Sequence, residues 1–378
     1  MMMEHTSLPN KMNPTSRITC TLTLSNLLHN IHEFKQYIQP NTKVMAVMKA
    51  NAYGHNAIEV ATYLQENGIS IFAVATIQEA IELRKHGITI NILNLGCCFP
   101  SDLPIIHQYH IIQTITNTSI LKEMDKSNLT YEIAIAIDTG MHRIGFPANK
   151  INEINEIKSC FYYPNIHVKH IYSHLCDVER NDSKAQKKTI QQISSFDTVL
   201  KQLPKGEYTT SLQASYGILN QPQLQYDYVR LGISLYGVTS ENHAYQKNLV
   251  SLKPVLELHS KIVDLHEVDE NETIGYGQTY CCQRKSKIAT LSIGYGDGLF
   301  RNYDDLYVYY QGKAIPVVGR ICMDYCMIDC TEINVQLFDE VEWIGEHQSA
   351  ATLAQAFHTN SNELLTRLHI RGQTILKR

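Results

Sequence analysis

The sequence predicts an α/β protein, an N-terminal (β/α)8 TIM-like barrel followed by a C-terminal mostly-β domain. Three observations predict it. Eight apolar runs of strand length recur between residues 44 and 237, with helix-like segments between most of them. Polar and reactive side chains fall at the C-terminal ends of several of those runs, the face on which barrels of parallel strands carry their chemistry. After about Ser240 the texture changes to short strand-like runs split by Gly, Asp and Asn, with little helical periodicity. A chain of 378 residues suggests about two domains, and the expected division is 17–245 for the barrel and 246–378 for the β domain.

In chain order, the barrel strands are expected at Val44–Lys49, Phe72–Thr76, Asn91–Gly96, Ile111–Thr116, Tyr131–Asp138, His167–Leu175, Ser211–Ser215 and Tyr228–Gly237. Ala57–Gln65 has helical spacing, with Ile58, Ala61 and Leu64 or Val60 and Leu64 as its apolar positions, and closes at Gly68; Ile77–Arg84 repeats the pattern and closes at Gly87. Beyond the barrel, Leu256–Val268, Lys287–Ile293, Ala314–Val318, Ile321–Ile328 and Glu340–Ile344 read as strands, and Ala351–Phe357 and Asn362–His369 as terminal helices.

Composition excludes several classes. Apolar residues make up 44% of the chain, enough for a packed interior, and the net charge is −4 with no basic block, which argues against nucleic acid or an anionic membrane as the main partner. Met1–Ser16 is polar, with Pro9 and Pro14, and lacks the apolar centre of a signal peptide. With no such signal, the ten cysteines are expected as free thiols in a reducing cytoplasm. Cys322, Cys326 and Cys330 repeat every fourth residue, but in a strand-like context that spacing is too wide to share one ion, so no metal is expected.

The most informative stretch is Val44-Met45-Ala46-Val47-Met48-Lys49-Ala50-Asn51-Ala52-Tyr53-Gly54-His55. A buried strand ending in one lysine must hydrate the ammonium, pair it or hold it neutral. A lysine whose pKa is lowered in this way is suited to Schiff-base chemistry. Further candidates sit at the ends of later strands: Arg143 after the fifth, Ser173-His174 ending the sixth, Ala214-Ser215 ending the seventh and Arg230 in the eighth.

Met48 to His55 resembles the cofactor-lysine motif of alanine racemases, pyridoxal-phosphate enzymes built of a barrel and a β domain. Arg230-Leu231-Gly232-Ile233-Ser234-Leu235-Tyr236-Gly237, Ile274-Gly275-Tyr276-Gly277-Gln278-Thr279-Tyr280, Ser292 to Gly298 and Gly319 to Asp324 match further motifs of that family in order, so the resemblance spans about residues 17–378. It implies pyridoxal 5'-phosphate on Lys49, with Tyr53, His174, Ser215, Arg230, Gly232 and Ile233 as cofactor-binding residues. Arg230 would face the pyridine nitrogen, which a permanently charged guanidinium cannot protonate. Tyr276 would be the second catalytic base, delivered by the partner subunit of a homodimer with shared active sites. A phenol acting as a base near neutral pH needs cationic or donor neighbours. Arg143, Met323 and Asp324 would serve the substrate, and Tyr295 would line the entry channel.

The resemblance implies interconversion of L- and D-alanine for peptidoglycan, with serine or broad specificity as the alternative. Arg230 argues against a related barrel decarboxylase, and the second domain with Tyr276 argues against a non-enzymatic cofactor carrier. Three positions depart from the family pattern. Ala136 stands where many members have a carbamylated lysine that steadies the substrate arginine, so Arg143 needs another partner; Ala214 replaces an Asn; and Ile370 stands where a tyrosine often lies near phosphate and substrate.

Overall fold

The computed structural model describes residues 16–149, 151–180, 182–240 and 250–378, with backbone alone for 151–153. The polar start of the chain through Thr15 lies outside the described residues, as does 241–249, where the expected domain boundary falls. The chain forms two compact units. One contains 22–256, 349–367 and 376–378; the other contains 257–348, 368–375 and the described residues up to Thr21.

In the first unit, eight parallel strands close into a barrel. Beyond β1 (Ile18–Thr23), which belongs to the other sheet, these are β2 (Lys43–Val47), β3 (Ile71–Val74), β4 (Asn91–Asn94), β5 (Ile112–Ile115), β6 (Tyr131–Asp138), β8 (Ile166–Tyr172), β9 (Thr209–Ala214) and β10 (Tyr228–Leu231). A two-residue strand β7 (Phe146–Pro147) pairs only with β6. The barrel closes where β10 pairs with β2, Arg230 opposite Met45, and where β5 pairs with β6. Ile71–Val74 is buried throughout, as the continuous apolar runs of a parallel sheet require when both faces are covered.

Helices α1 (Ser25–Lys35), α3 (Ala57–Glu66), α4 (Ile77–Lys85), α5 (Leu103–Gln108), α6 (Ser119–Lys126), α7 (Ile151–Ser159), α8 (Ser183–Gln202) and α9 (Ser215–Asn220) follow the strands; α2 is described below. Helix α4 begins with a reciprocal cap: the Thr76 side chain accepts from Glu79 N, and Glu79 accepts from Thr76 N. Among the described residues, no helix is long and apolar enough to cross a membrane.

Several expected strands overrun the ladder, and three of these places become turns or helix. The run to Gly237 stops as strand at Leu231, because Ile233–Tyr236 coil into a 3-10 turn. Ser215 opens α9 rather than ending β9. Of Ile321–Ile328, only the end is strand, since pairing begins at Cys326. At Ile233–Tyr236 and Ile321–Tyr325 apolar character extends beyond the ladder bonds, and burial in a turn looks the same in sequence as burial in a strand.

The second unit is built on a sheet in the order β14 (Ser286–Leu291), β17 (Cys326–Asp329), β16 (Lys313–Val318), β15 (Tyr307–Tyr310), β18 (Glu340–Ile344), β11 (Leu256–Val268), β1, β19 (Gln373–Lys377). Strand β14 also pairs back to β11. A small ribbon, β12 (Thr273–Ile274) with β13 (Tyr280–Cys281), flanks Tyr276. The terminal helices α10 (Ala350–Ala356) and α11 (Ser361–Arg367) group with the barrel unit.

Candidate active site

Strand β2 ends at Val47, and Met48 N donates to Ala73 O at 2.7 Å, so the ladder fixes the chain up to the residue before Lys49. The chain then turns through α2 (Lys49–Tyr53), in which Ala50, Asn51, Ala52 and Tyr53 all have left-handed φ of 52–55°. For L-residues this costs on the order of 1–2 kcal/mol each. Local bonds offset the strain. The Glu79 carboxylate accepts from Ala50 N (2.6 Å), Ala75 N (2.8 Å) and Thr76 N (3.1 Å), and Asn51 Oδ1 accepts from Ala57 N (2.7 Å). Gly54 completes the turn at φ 81°, and a Cβ there would meet the Leu365 carbonyl oxygen of α11 at 2.2 Å. Four successive non-glycine residues in this conformation mark a backbone held for what it presents, here Lys49 and Tyr53.

A cavity of about 310 Å3 opens at the C-terminal ends of the barrel strands. Lys49, Tyr53, Arg143, His174, Ser215, Arg230, Gly232 and Ile233 all line it. The barrel-borne residues expected from sequence therefore converge. Tyr276, Met323 and Asp324 belong to the other unit.

Arg230 is buried, and four acceptors hold it. Its Nη1 donates to Ser211 Oγ (2.5 Å), and its Nη2 faces Ser173 O (2.6 Å), His174 Nδ1 (3.2 Å) and Leu212 O (3.2 Å). The guanidinium also lies 5.2 Å from the centre of the Tyr172 ring. Burial lowers the Arg230 pKa to about 10, so the group remains a cation at neutral pH. Burial, then Arg230, Arg143 and Lys49, push His174 down to about 3. Its neutral Nδ1 can therefore accept from Arg230. Among the described residues Arg143 has no hydrogen-bond or ion-pair partner, and Ala136 beside the cavity offers none. The cavity thus gathers three basic side chains, Lys49, Arg143 and Arg230.

Burial first, then Arg143 and Arg230, lower the Lys49 pKa, while Glu79 opposes them. Removing the Arg143 charge should raise that pKa, so the neutral amine becomes available only at higher pH. In Arg143→Met, the pH at half-maximal rate of Schiff-base formation between apo-protein and a pyridoxal aldehyde is expected to move upward. A downward or absent shift would mean that Arg143 does not act on Lys49.

One end of the cavity is an anion cradle. Gly232 N donates to Ser215 Oγ at 3.3 Å, and a Cβ at Gly232 would come within 3.0 Å of the Tyr53 hydroxyl. Two hydroxyls and the backbone amides opening the Ile233 turn thus converge where a side chain at Gly232 would press on the Tyr53 hydroxyl, an arrangement suited to a phosphate. Lysine, phosphate cradle and guanidinium fit the three features of pyridoxal phosphate: its aldehyde, its phosphate and its ring nitrogen.

Sequence reading missed Tyr172, Ser240 and Asn362. Tyr172 lies opposite Ala136 on β6, and its hydroxyl lies 3.2 Å from Thr114 Oγ1 and donates to Leu95 O at 3.3 Å. Ser240 Oγ donates to Asn362 Oδ1 at 3.0 Å, which brings α11 to the cavity wall. Tyr172 precedes Ser173-His174 at a strand end and could have been marked by that position; Ser240 and Asn362 are polar residues of a turn and a helix, with no such signal.

In the β-rich unit, Tyr276 is 67% exposed and starts a 3-10 turn between Gly275 and Gly277, with the Arg320 guanidinium packed against Gly277. The Met323 carbonyl accepts from Gly296 N (2.9 Å) and Arg371 Nη2 (3.4 Å), while Arg371 also pairs with Asp324 at 2.9 Å. Among the described residues the Met323 N–H has no acceptor.

A family model described as alanine racemase, N-terminal domain, matches residues 22–240, and one described as alanine racemase, C-terminal domain, matches 255–376. A serine/alanine racemase of Enterococcus gallinarum is 37% identical over 96% of this chain and 52% of its own length, so the chain spans about half of that relative. An alanine racemase of Clostridium kluyveri is 35% identical over 94% of this chain and 95% of its own. Among solved structures, alanine racemase from Bartonella henselae with covalently bound pyridoxal phosphate superposes with a TM-score of 0.84 at 29% identity, over 96% of this chain and all of that one.

Proposed function

The chain belongs to the alanine racemase family, and from that premise we propose that it interconverts L- and D-alanine as a cytoplasmic homodimer. In this reading 17–245 binds pyridoxal phosphate, and 246–378 supplies Tyr276, Met323 and Asp324 to the partner subunit's site. The observation that carries it is the cavity in which a lysine of lowered pKa, a phosphate cradle and a buried guanidinium meet.

When bound, the cofactor's ring draws electrons from the α-carbon and acidifies its proton. Tyr53, Ser215, Gly232 and Ile233 hold the phosphate. Arg230 has only donors and stays charged, so it would give no proton to the ring nitrogen and would leave the bound ring a weaker electron sink. A weaker sink would favour return of the proton to the α-carbon over side reactions. The Lys49 amine moves the proton on one face, and the Tyr276 phenol of the partner subunit moves it on the other. Arg143 and the Met323 N–H take the substrate carboxylate, and Tyr295 lines the way in. A supply of D-alanine for peptidoglycan is the corresponding role.

A serine or broad-specificity reading is favoured by Ile370 and by the serine/alanine racemase relative. Proton–deuterium exchange at the α-carbon across an amino-acid panel tests both readings. Alanine should exchange and racemise fastest, with serine measurable. Ile370→Tyr should raise the alanine-to-serine ratio of kcat/KM by a factor corresponding to about 1–3 kcal/mol. No racemisation of any amino acid by the cofactor-loaded protein would end the proposal, and an unchanged ratio would remove Ile370 from the specificity site.

A further inference from the structure

Arg230 is backed by a hydrogen-bonded chain that runs away from the cavity into the barrel wall. Ser211 Oγ receives Arg230 Nη1 and lies 2.8 Å from His170 Nε2; His170 Nδ1 lies 2.8 Å from Thr209 Oγ1; and Thr209 Oγ1 donates to Lys169 O at 3.1 Å. His170 is 1% exposed and Ser211 is fully buried, so each proton must have a partner within this chain.

Donor counting gives the chain one direction. A guanidinium only donates, so Ser211 accepts from Arg230, and its own proton goes to His170 Nε2. His170 then carries its proton on Nδ1 and gives it to Thr209, whose hydroxyl proton is spent on the Lys169 carbonyl. This pattern requires a neutral imidazole. Burial and the Arg230 charge supply that condition, holding the His170 pKa at about 3. The ring is also fixed by near-parallel packing on Tyr172, 6.1 Å between centres.

We propose that His170 is a positioning residue for Arg230, fixing through Ser211 the hydrogen-bond direction and tilt of the guanidinium that faces the cofactor's ring nitrogen. This rests on the reading of Arg230 given above. The acceptor for Arg230 thus comes from a histidine one strand farther away, relayed through a serine that cannot set its own hydroxyl direction. Without His170, Ser211 can turn its proton toward the guanidinium and repel it. With the guanidinium displaced, the ring nitrogen of bound cofactor would be free to take a proton from water, which would strengthen the ring as an electron sink and favour transamination.

The test uses holoenzyme loaded with pyridoxal phosphate labelled with nitrogen-15 in the ring. In His170→Phe, which keeps ring volume and removes both nitrogens, the ring-nitrogen resonance should move toward its protonated position. The ratio of racemisation to keto-acid release should fall about tenfold, typical of lost outer hydrogen-bond partners. His170→Gln, which can still accept from Ser211, should recover most of both. Thr209→Val frees the His170 tautomer at little cost in volume and should shift both readouts in the same direction, so the proposal stays testable if His170→Phe does not fold. Wild-type resonance and ratio in the folded variants would overturn it and leave His170 a packing residue. A protonated ring nitrogen in the wild type would instead sink the reading of Arg230, a result distinguishable because it precedes any substitution.

Discussion

Lys49→Ala is expected to lower racemisation by more than about 10³-fold, because it removes both the covalent attachment and one of two proton-transfer groups. Borohydride treatment of the wild type should fix the cofactor on the peptide containing Lys49. Labelling of another lysine, with Lys49 unmodified, would remove the central assignment. The same variant tests the shared site. Tyr276→Phe should also be inactive, yet mixing the two inactive proteins with subunit exchange should restore about a quarter of wild-type activity. Half of the dimers would be mixed, and each would have one site carrying neither change. Demonstrated exchange without recovery would count against delivery of Tyr276 across a dimer.

Asp297→Ala should have the largest effect on the β-rich unit. The carboxylate is fully buried and receives Arg17 Nη2 at 2.9 and 3.1 Å, Arg371 Nε at 2.8 Å and Arg371 Nη2 at 3.1 Å. Both arginines also hold the substrate-loop candidate: Arg17 Nη1 donates to Asp324 O at 3.2 Å, and Arg371 pairs with the Asp324 side chain. Removing the shared carboxylate leaves two guanidinium groups facing each other. Because both reach solvent, the expected loss is about 2–4 kcal/mol rather than the full cost of an uncompensated buried charge. Denaturant unfolding of the variant checks it. In cofactor-loaded protein, KM for alanine should also rise as Met323 and Asp324 lose their supports. Unchanged stability would mean that Gly294 N and solvent replace the pair.

Much of the barrel was legible because parallel strands are buried on both faces and leave continuous apolar runs such as Ile71–Val74. Strand ends were less legible. Ile233–Tyr236 and Ile321–Tyr325 are apolar enough to read as strand, and only ladder bonds decide that they turn. Strands β1 and β19 were not anticipated, since each pairs with residues far away in sequence and β19 is exposed along its length.

For the site, the sequence by itself determined which residues are candidates for chemistry: one lysine ending a buried run, one arginine inside a strand, and glycine-flanked tyrosines in the order of the family's motifs. Those signals are local, because a charged group in an apolar run is conspicuous wherever the chain goes. Only the tertiary structure decided how they are held. The left-handed turn that presents Lys49 depends on Glu79 from a later helix and on the approach of Leu365 to Gly54. The acceptors of Arg230 come from β9 and from the residues just after β8, with His170 behind them. Hydrogen-bond direction and backbone strain are properties of groups brought together across the barrel, and a one-dimensional pattern carries no record of which donors will meet which acceptors.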